Sequence, residues 1–506
     1  MIFVPETNAG AQTPMSMLPF KTLIKIDRTG HPAVYIQLAN GLINLIRDGK
    51  IIPGTFLPGT REMARIIQIH RKTVINAYDE LATQGWIESL PQKGFRVVPD
   101  LPVVKPRTYH PKSNFSQPIS LTEDLLQLPV LVRPGWVSEP TDGAIIVDDG
   151  FPDPLLSPHE SFLQQYRQLL RSKEQYQISL HIDRGGVPHL KSATSTFLNR
   201  SRGLNITDEH LIITRGAQMA IYMAAALLIR PGDNIVVSDP SYFIADFIFQ
   251  KLGAVIHRVA VDQEGMDVNQ LEDLLKTKQF RMLYVIPHHH HPTTVTMSSS
   301  RRIQLLNVIK QYELWTIEDD YDYDFHYRNS PILPLASADH GGRIIYIGSY
   351  TKLLGPSFRI GYMVAEKHFI NQAIRFKRLI DIRGDFMMES ALANLIENGE
   401  LGRHIRRSKK IYADRLESAS KLIADTFAES IYFEKPQGGM ALWLRFDNRY
   451  PLAQILVKAS ARNLHFQGSA YFEGHIANLN SLRFGFASLS EDRMGQAISI
   501  MRDILR

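Results

Sequence analysis

The stretch GSYTKLLGPSFRIGY, residues 348–362, sets one lysine, Lys352, three positions after Ser349 and seven before Arg359. A lysine serves as a Schiff-base nucleophile when its ammonium can lose a proton near neutral pH, which needs desolvation or a nearby positive charge. Lys352 follows the apolar run RIIYIG and precedes Leu353 and Leu354, so burial is expected. A lysine after a strand is by itself more often an ordinary surface side chain, and its neighbours decide the matter.

Three further segments supply neighbours. ELWTIEDDYDYDF (313–325) ends a strand with Glu318, Asp319 and Asp320, at the edge where open α/β sheets hold ligands. Taken alone, that cluster is equally a Mg²⁺ site or a solvated loop. ITRGAQMA (213–220) puts Gly216, Ala217 and Gln218 at the start of a helix, whose free N–H groups and dipole favour an anion. Arg359 and Ser349 would add charge-assisted and hydroxyl bonds to the same anion. Pyridoxal 5'-phosphate needs a lysine partner, a phosphate cradle, a carboxylate for its pyridinium and a flat group against its ring, and each has a candidate here.

Outward from the lysine, buried-strand runs alternate with helical patterns: LIIT, NIVVS, RMLYVI, LWTIED and RIIYIG are separated by amphipathic or apolar helical segments. That alternation predicts an α/β fold with a mostly parallel sheet and helices on both faces. A long helix from about residue 405 leads into ALWLRF and SLRFGFA, a smaller α+β part.

The amino-terminal end has a different character. Val34, Leu38, Leu42 and Ile46 recur at helical spacing. PGTREMARIIQIHRKTVINAYDELATQGW (58–86) then predicts a helix over 60–67, a tight turn and a helix over 71–84 closed by Gly85. WIESLPQKGFRVV reads as two strands about a Gln-Lys-Gly turn, which makes a helix-turn-helix with a wing. In such a unit the second helix presents its first residues to base edges, here His70, Arg71, Lys72 and Thr73, with Arg71 suited to guanine. Val74, Ala77, Tyr78 and Leu81 fall at core spacing, and Arg47 and Lys50 read as solvent-facing charges. Residues 20–98 carry 11 Lys or Arg against 6 Asp or Glu, so +5 of the net +6 lies there. Prolines 99, 102, 106, 111 and 118 then mark a stiff tether over 99–145.

With 506 residues, 44% apolar and 21% charged, the chain predicts a soluble protein of two or more domains. It has no cysteine, which removes disulfides and thiolate metal sites and suits a reducing compartment. No window nears the roughly 18 apolar residues of a membrane span and the start lacks the order of a signal peptide, so a cytoplasmic location and no membrane partner are expected.

On these motifs the body, 146–506, resembles a fold-type I, aspartate-aminotransferase-like pyridoxal-phosphate protein, and the head, 20–98, resembles a GntR-type winged helix. Together they are similar to the MocR-type transcriptional regulators. The resemblance implies that Lys352 holds the cofactor as a Schiff base, that Asp319 pairs with the pyridine nitrogen and that Tyr321 bonds the phenolic oxygen. Tyr242, in SDPSY, would stack on the ring, and Arg483, in SLRFGFA, would grip an effector carboxylate. It further implies a DNA contact by Arg61, a wing tip at Lys93 and Gly94, and a homodimer on a duplex DNA operator. Two departures stand out. The family pattern reads close to S-H-Q-F-P-T-G where this chain has HHHHPTT (288–294), which keeps His289 near the cofactor but replaces a glycine by Thr294. His181 stands where relatives carry a tyrosine that reaches the neighbouring subunit's site. Four adjacent histidines on an extended segment face alternate sides and do not all meet one metal ion.

The function expected is a regulator whose aminotransferase-like body senses an amino compound or the aldehyde cofactor. The alternative is a working aminotransferase with a self-regulating head. A body that binds no cofactor is disfavoured by the joint presence of Lys352, Asp319 and Arg359.

Overall fold

The computed structural model describes residues 18–28, 32–101, 140–171, 185–327, 332–467 and 479–506. His181 and most of the proline-marked tether lie outside these residues. The chain divides into two compact units, with the division near residue 126. Among the described residues no helix is long and apolar enough to cross a membrane.

The head comprises α1 (Phe20–Leu23), α2 (Val34–Arg47), α3 (Thr60–Ile67), α4 (Arg71–Thr83), β1 (Ile87–Leu90) and β2 (Gly94–Val97). α3 stops because Gln68 turns to φ +59°, and the Arg28 guanidinium donates to its carbonyl at 2.7 Å. α4 begins where the His70 ring Nδ1 accepts from the Lys72 N–H at 3.2 Å, in place of the usual hydroxyl or carboxylate cap. The positions at core spacing, Val74, Ala77, Tyr78 and Leu81, are all fully buried. Tyr78 Oη donates to the Pro58 carbonyl at 2.8 Å and ties α4 to the segment before α3. In the wing, β1 and β2 run antiparallel with Leu90 opposite Gly94, and Glu88 and Arg96 pair across the strands at 2.6 Å.

The body starts with β3 (Ile145–Val147), and its main strands are β4 (Leu211–Thr214), β5 (Asn234–Asp239), β6 (Val255–Asp262), β7 (Gly265–Met266), β8 (Met282–Val285), β9 (Trp315–Asp320), β10 (Ile344–Ser349) and β11 (Gly361–Val364). The eight from β4 to β11 form one sheet, in the order β4-β11-β10-β9-β8-β5-β6-β7. Its centre, β10-β9-β8-β5-β6, is parallel, while β11 and β7 run antiparallel to their neighbours. The runs of β4, β5, β8, β9, β10 and β11 are buried on both faces, as a sheet covered by helices requires, while β6 near the edge is half-exposed. A smaller antiparallel sheet follows, made of β12 (Ile431–Tyr432), β13 (Ala441–Phe446) and, after β14 (Leu464–Phe466), β15 (Ser481–Gly485). The long helix before it runs Glu400–Phe427, five residues ahead of the expected start. β3 pairs parallel with β14, more than 300 residues away, and so brings residues 148–151 against the end of the chain.

Candidate functional site

Alternation along β9 sorts the acidic cluster. Glu318 accepts from the N–H groups of Leu335 and Ala336, each at 2.8 Å, and Asp320 accepts from Tyr346 Oη at 2.8 Å. Asp319, between them, faces the other way: Tyr284 Oη donates to its Oδ2 at 2.7 Å, and its Oδ1 is buried with no partner among the described residues. Of the three, Asp319 alone lines the cavity that holds Lys352. Burial pushes its carboxyl up to about 7, against the lowering effect of the Tyr284 bond.

Lys352 sits in the short helix Thr351–Leu354 that follows β10. Its Nζ donates to the Gly150 carbonyl at 2.7 Å and stands 3.8 Å above the Phe151 ring centre. Burial lowers its pKa; Asp149 opposes this and the Arg483 charge reinforces it. Such a lysine gives up its proton more readily than a free one.

Ala217, Gln218, Ser349 and Arg359 line the same cavity, as do Tyr242 and Tyr321. Gly216 takes φ +83° at the start of the helix Ala217–Leu228, and a methyl placed on it would stand 3.1 Å from Arg359 Nη2. Arg359 packs close over the helix start, where glycine at 216 leaves it room. Thr351 lines the same cavity, and its Oγ1 is buried without a partner among the described residues. A helix start, two hydroxyls and a guanidinium suit a phosphate, and the orphaned Asp319 oxygen suits a ring N–H cation. The residues present therefore fit pyridoxal 5'-phosphate.

Two expected residues sit differently. His289 is not brought to the cavity: its Nδ1 meets Asp322 Oδ1 at 2.8 Å, its ring lies parallel to His326, and Gly438 closes on its Nε2 edge. The cause is local backbone, since His289 has φ +42° and Thr294 φ +63°, so the run is coiled and not extended. What His289 offers is its carbonyl, which accepts from Tyr321 Oη at 2.8 Å. His291 lines the cavity instead, edge-on to the Tyr242 ring at 5.1 Å. Arg483 lies behind Tyr321, 1% exposed, and donates to the carbonyls of Asp149 (2.6 Å) and Pro292 (2.9 Å) and to Tyr321 Oη (3.1 Å).

Asp149, Phe151, His291 and Thr351 were not singled out from sequence. Asp149 and Phe151 flank Gly150 in DDGFPD, a glycine that follows an acidic pair after a short apolar run, and that pattern was their one available signal.

In the head, Arg61, His70, Arg71, Lys72, Lys93 and Gly94 are exposed and Thr73 is half-buried. His70 spends one ring nitrogen on the α4 cap, and Arg71 Nε lies 3.4 Å from Thr60 Oγ1.

Residues 154–500 match the family described as aminotransferase class I and II, and residues 34–97 match the gntR family of bacterial regulatory proteins. The chain is 26% identical, over 95% of both chains, to the probable rhizopine catabolism regulatory protein MocR of Rhizobium meliloti. It is 27% identical to aromatic-amino-acid aminotransferase 1 of Thermococcus litoralis, over 72% of this chain and 89% of that one. The crystal structure of Pyrococcus horikoshii kynurenine aminotransferase, a complex with PMP, superposes with a TM-score of 0.66 at 26% identity, covering 72% of this chain and 91% of the other.

Proposed function

Because this chain belongs to the class I and II aminotransferase family and carries a gntR-type head, the MocR-type architecture, we propose that its body is a sensor whose occupancy changes how the head binds an operator. The chain is a DNA-binding transcriptional regulator with a pyridoxal 5'-phosphate-dependent body. The cofactor supplies an aldehyde that captures amines reversibly at a lysine. Lys352, its proton loosened by burial, is the amine that holds it. Asp319 keeps a proton on the ring nitrogen, and Arg359, Ser349, Thr351 and the helix start at Ala217 hold the phosphate. Tyr242, His291 and Tyr321 line the cavity around the cofactor, while Arg483, bonded to two carbonyls and to Tyr321 Oη, would have to leave these partners to take an effector carboxylate.

One observation carries this reading. Asp319 Oδ1, Thr351 Oγ1 and Asp149 Oδ1 are among the buried polar atoms with no partner in the described residues, and these three belong to side chains that line the cavity around Lys352. Buried polar atoms are nearly always paired, so three orphans in one cavity mark a place built for a polar ligand.

A homodimer fits the large apolar side chains left in the open, among them Leu155 at 92%, Leu379 at 82% and Ile382 at 79% exposure. Two heads would then read two half-sites of a duplex operator, in the cytoplasm. Purified protein should be yellow, and Lys352→Ala should remove the colour. A panel of amines should shift the visible band without forming keto product. Sustained turnover would favour the second reading, an active aminotransferase, to which the likeness to the Thermococcus litoralis enzyme also points.

A further inference from the structure

We propose that the effector is an amine with a second ammonium group, a diamine or diamino acid, and that Asp149 is the residue that selects it. This rests on the reading of Lys352 as the amine-capturing site.

Asp149 shares the cavity with Lys352. Its Oδ2 lies 3.3 Å from His291 Nε2, while its Oδ1 is buried with no partner among the described residues. The charge on this carboxylate is not cancelled by that contact. Burial holds the His291 imidazole down to about 4, so the ring is neutral at neutral pH and gives a hydrogen bond but no charge. Burial also opposes ionisation of Asp149, yet in the cofactor-free protein the His291 bond and the charges of Lys352 and Arg483 outweigh it and hold the carboxyl below its usual range, and the His291 bond and Arg483 remain when the cofactor takes Lys352.

Among the described residues, the nearby cations are otherwise engaged. Arg483 donates its Nε to the Asp149 backbone carbonyl and its other nitrogens to Pro292 and Tyr321, none to the Asp149 side chain. Lys352 Nζ donates to the Gly150 carbonyl and is the group the cofactor takes. Arg359 stands at the phosphate end, against Gly216. An effector captured at Lys352 therefore meets an ionised carboxylate with one free oxygen. An ammonium satisfies that oxygen with a charge-assisted hydrogen bond, whereas a second carboxylate is repelled by it.

The test uses full-length, cofactor-loaded protein and follows the visible band during titration with 1,4-diaminobutane and with 4-aminobutyrate, which differ in having an ammonium or a carboxylate at the far end. Ornithine and glutamate form a second pair that shares an α-carboxylate. The ammonium-bearing member of each pair should reach half-maximal shift at a concentration at least about tenfold lower, the scale of one hydrogen bond to a charged group. Asp149→Asn should erase the preference and Asp149→Glu should keep part of it. Preference for the carboxylate member, or a preference unchanged in Asp149→Asn, overturns the proposal while leaving the Lys352 site intact. A protein with no visible band at any cofactor concentration overturns the Lys352 reading, and this proposal with it.

Discussion

Tyr284 Oη stands 2.7 Å from Asp319 Oδ2 and pins one oxygen of that carboxylate, leaving Oδ1 buried and unpartnered at the cavity wall. The tyrosine fixes the direction in which Asp319 points. It also sets what the site lacks, since a carboxylate raised by burial to about 7 is short of a cation.

The first consequence is a pH dependence. In the cofactor-free protein the Asp319 pKa lies above its ordinary value of 3.8, so its contribution to stability is fully present below about 3.8 and is lost as pH rises through about 7. Urea midpoints of cofactor-free protein should fall between pH 5 and pH 8, and Asp319→Asn should fall less. Some slope should persist in the variant, because burial raises Glu318 to about 8, with the same sign. Cofactor loading should flatten the wild-type curve by placing a cation beside Oδ1. Equal slopes in wild type and variant would contradict this account of Asp319.

The phosphate end rests on a backbone requirement. Gly216 has φ +83° and ψ 172°, a region that side chains other than glycine enter at a cost of about 1–3 kcal/mol. Gly216→Ala would add a methyl 3.1 Å from Arg359 Nη2. It should lower stability by about that amount and weaken cofactor binding, measured by equilibrium dialysis, and inorganic phosphate should protect the variant less than the wild type. Protection of Gly216→Ala by phosphate equal to that of the wild type would place the anion elsewhere.

In the head, Arg71 and Lys72 begin α4 and are both exposed. Arg71→Ala should cost about 1–3 kcal/mol in operator binding and relax specificity at one base pair, while Lys72→Ala should weaken all sequences alike and reduce the salt slope by about one. Gel-shift titrations at several salt concentrations separate the two effects. Loss of specificity in the Lys72 variant alone would reverse these assignments.

Much of this was legible in the sequence for local reasons. The run 58–98 carries its own helical periodicity and turn residues, and α3 begins and ends where the pattern placed it. Strands such as LIIT and MLYV are short, mostly apolar runs that alternate with helices, so their order along the chain foretold the sheet. Lys352, Asp319, Tyr321, Tyr242 and Arg359 share a cavity because each stands at the end of one of these elements. The effector side was harder to read. Asp149 reaches the cavity through the pairing of β3 with β14, a contact across more than 300 residues that no local pattern announces. His289 and His291 exchange places because His289 takes φ +42°, whereas the expectation assumed an extended run. Thr294 at φ +63° is a β-branched residue in a region that normally favours glycine, so the departure from the family pattern was visible but its backbone outcome was not.

The central claim is that ligand at Lys352 and DNA at α4 are coupled, and linkage makes this measurable from either end. The most direct measurement is the operator affinity of full-length protein in four states: cofactor-free, cofactor-loaded, cofactor-loaded with the amine that shifts its visible band, and Lys352→Ala with that amine. The account predicts that the amine changes the affinity of the loaded protein by about 5–150-fold, the usual span of a coupling of 1–3 kcal/mol, and leaves Lys352→Ala unmoved. The same affinity and the same footprint in all four states would contradict it.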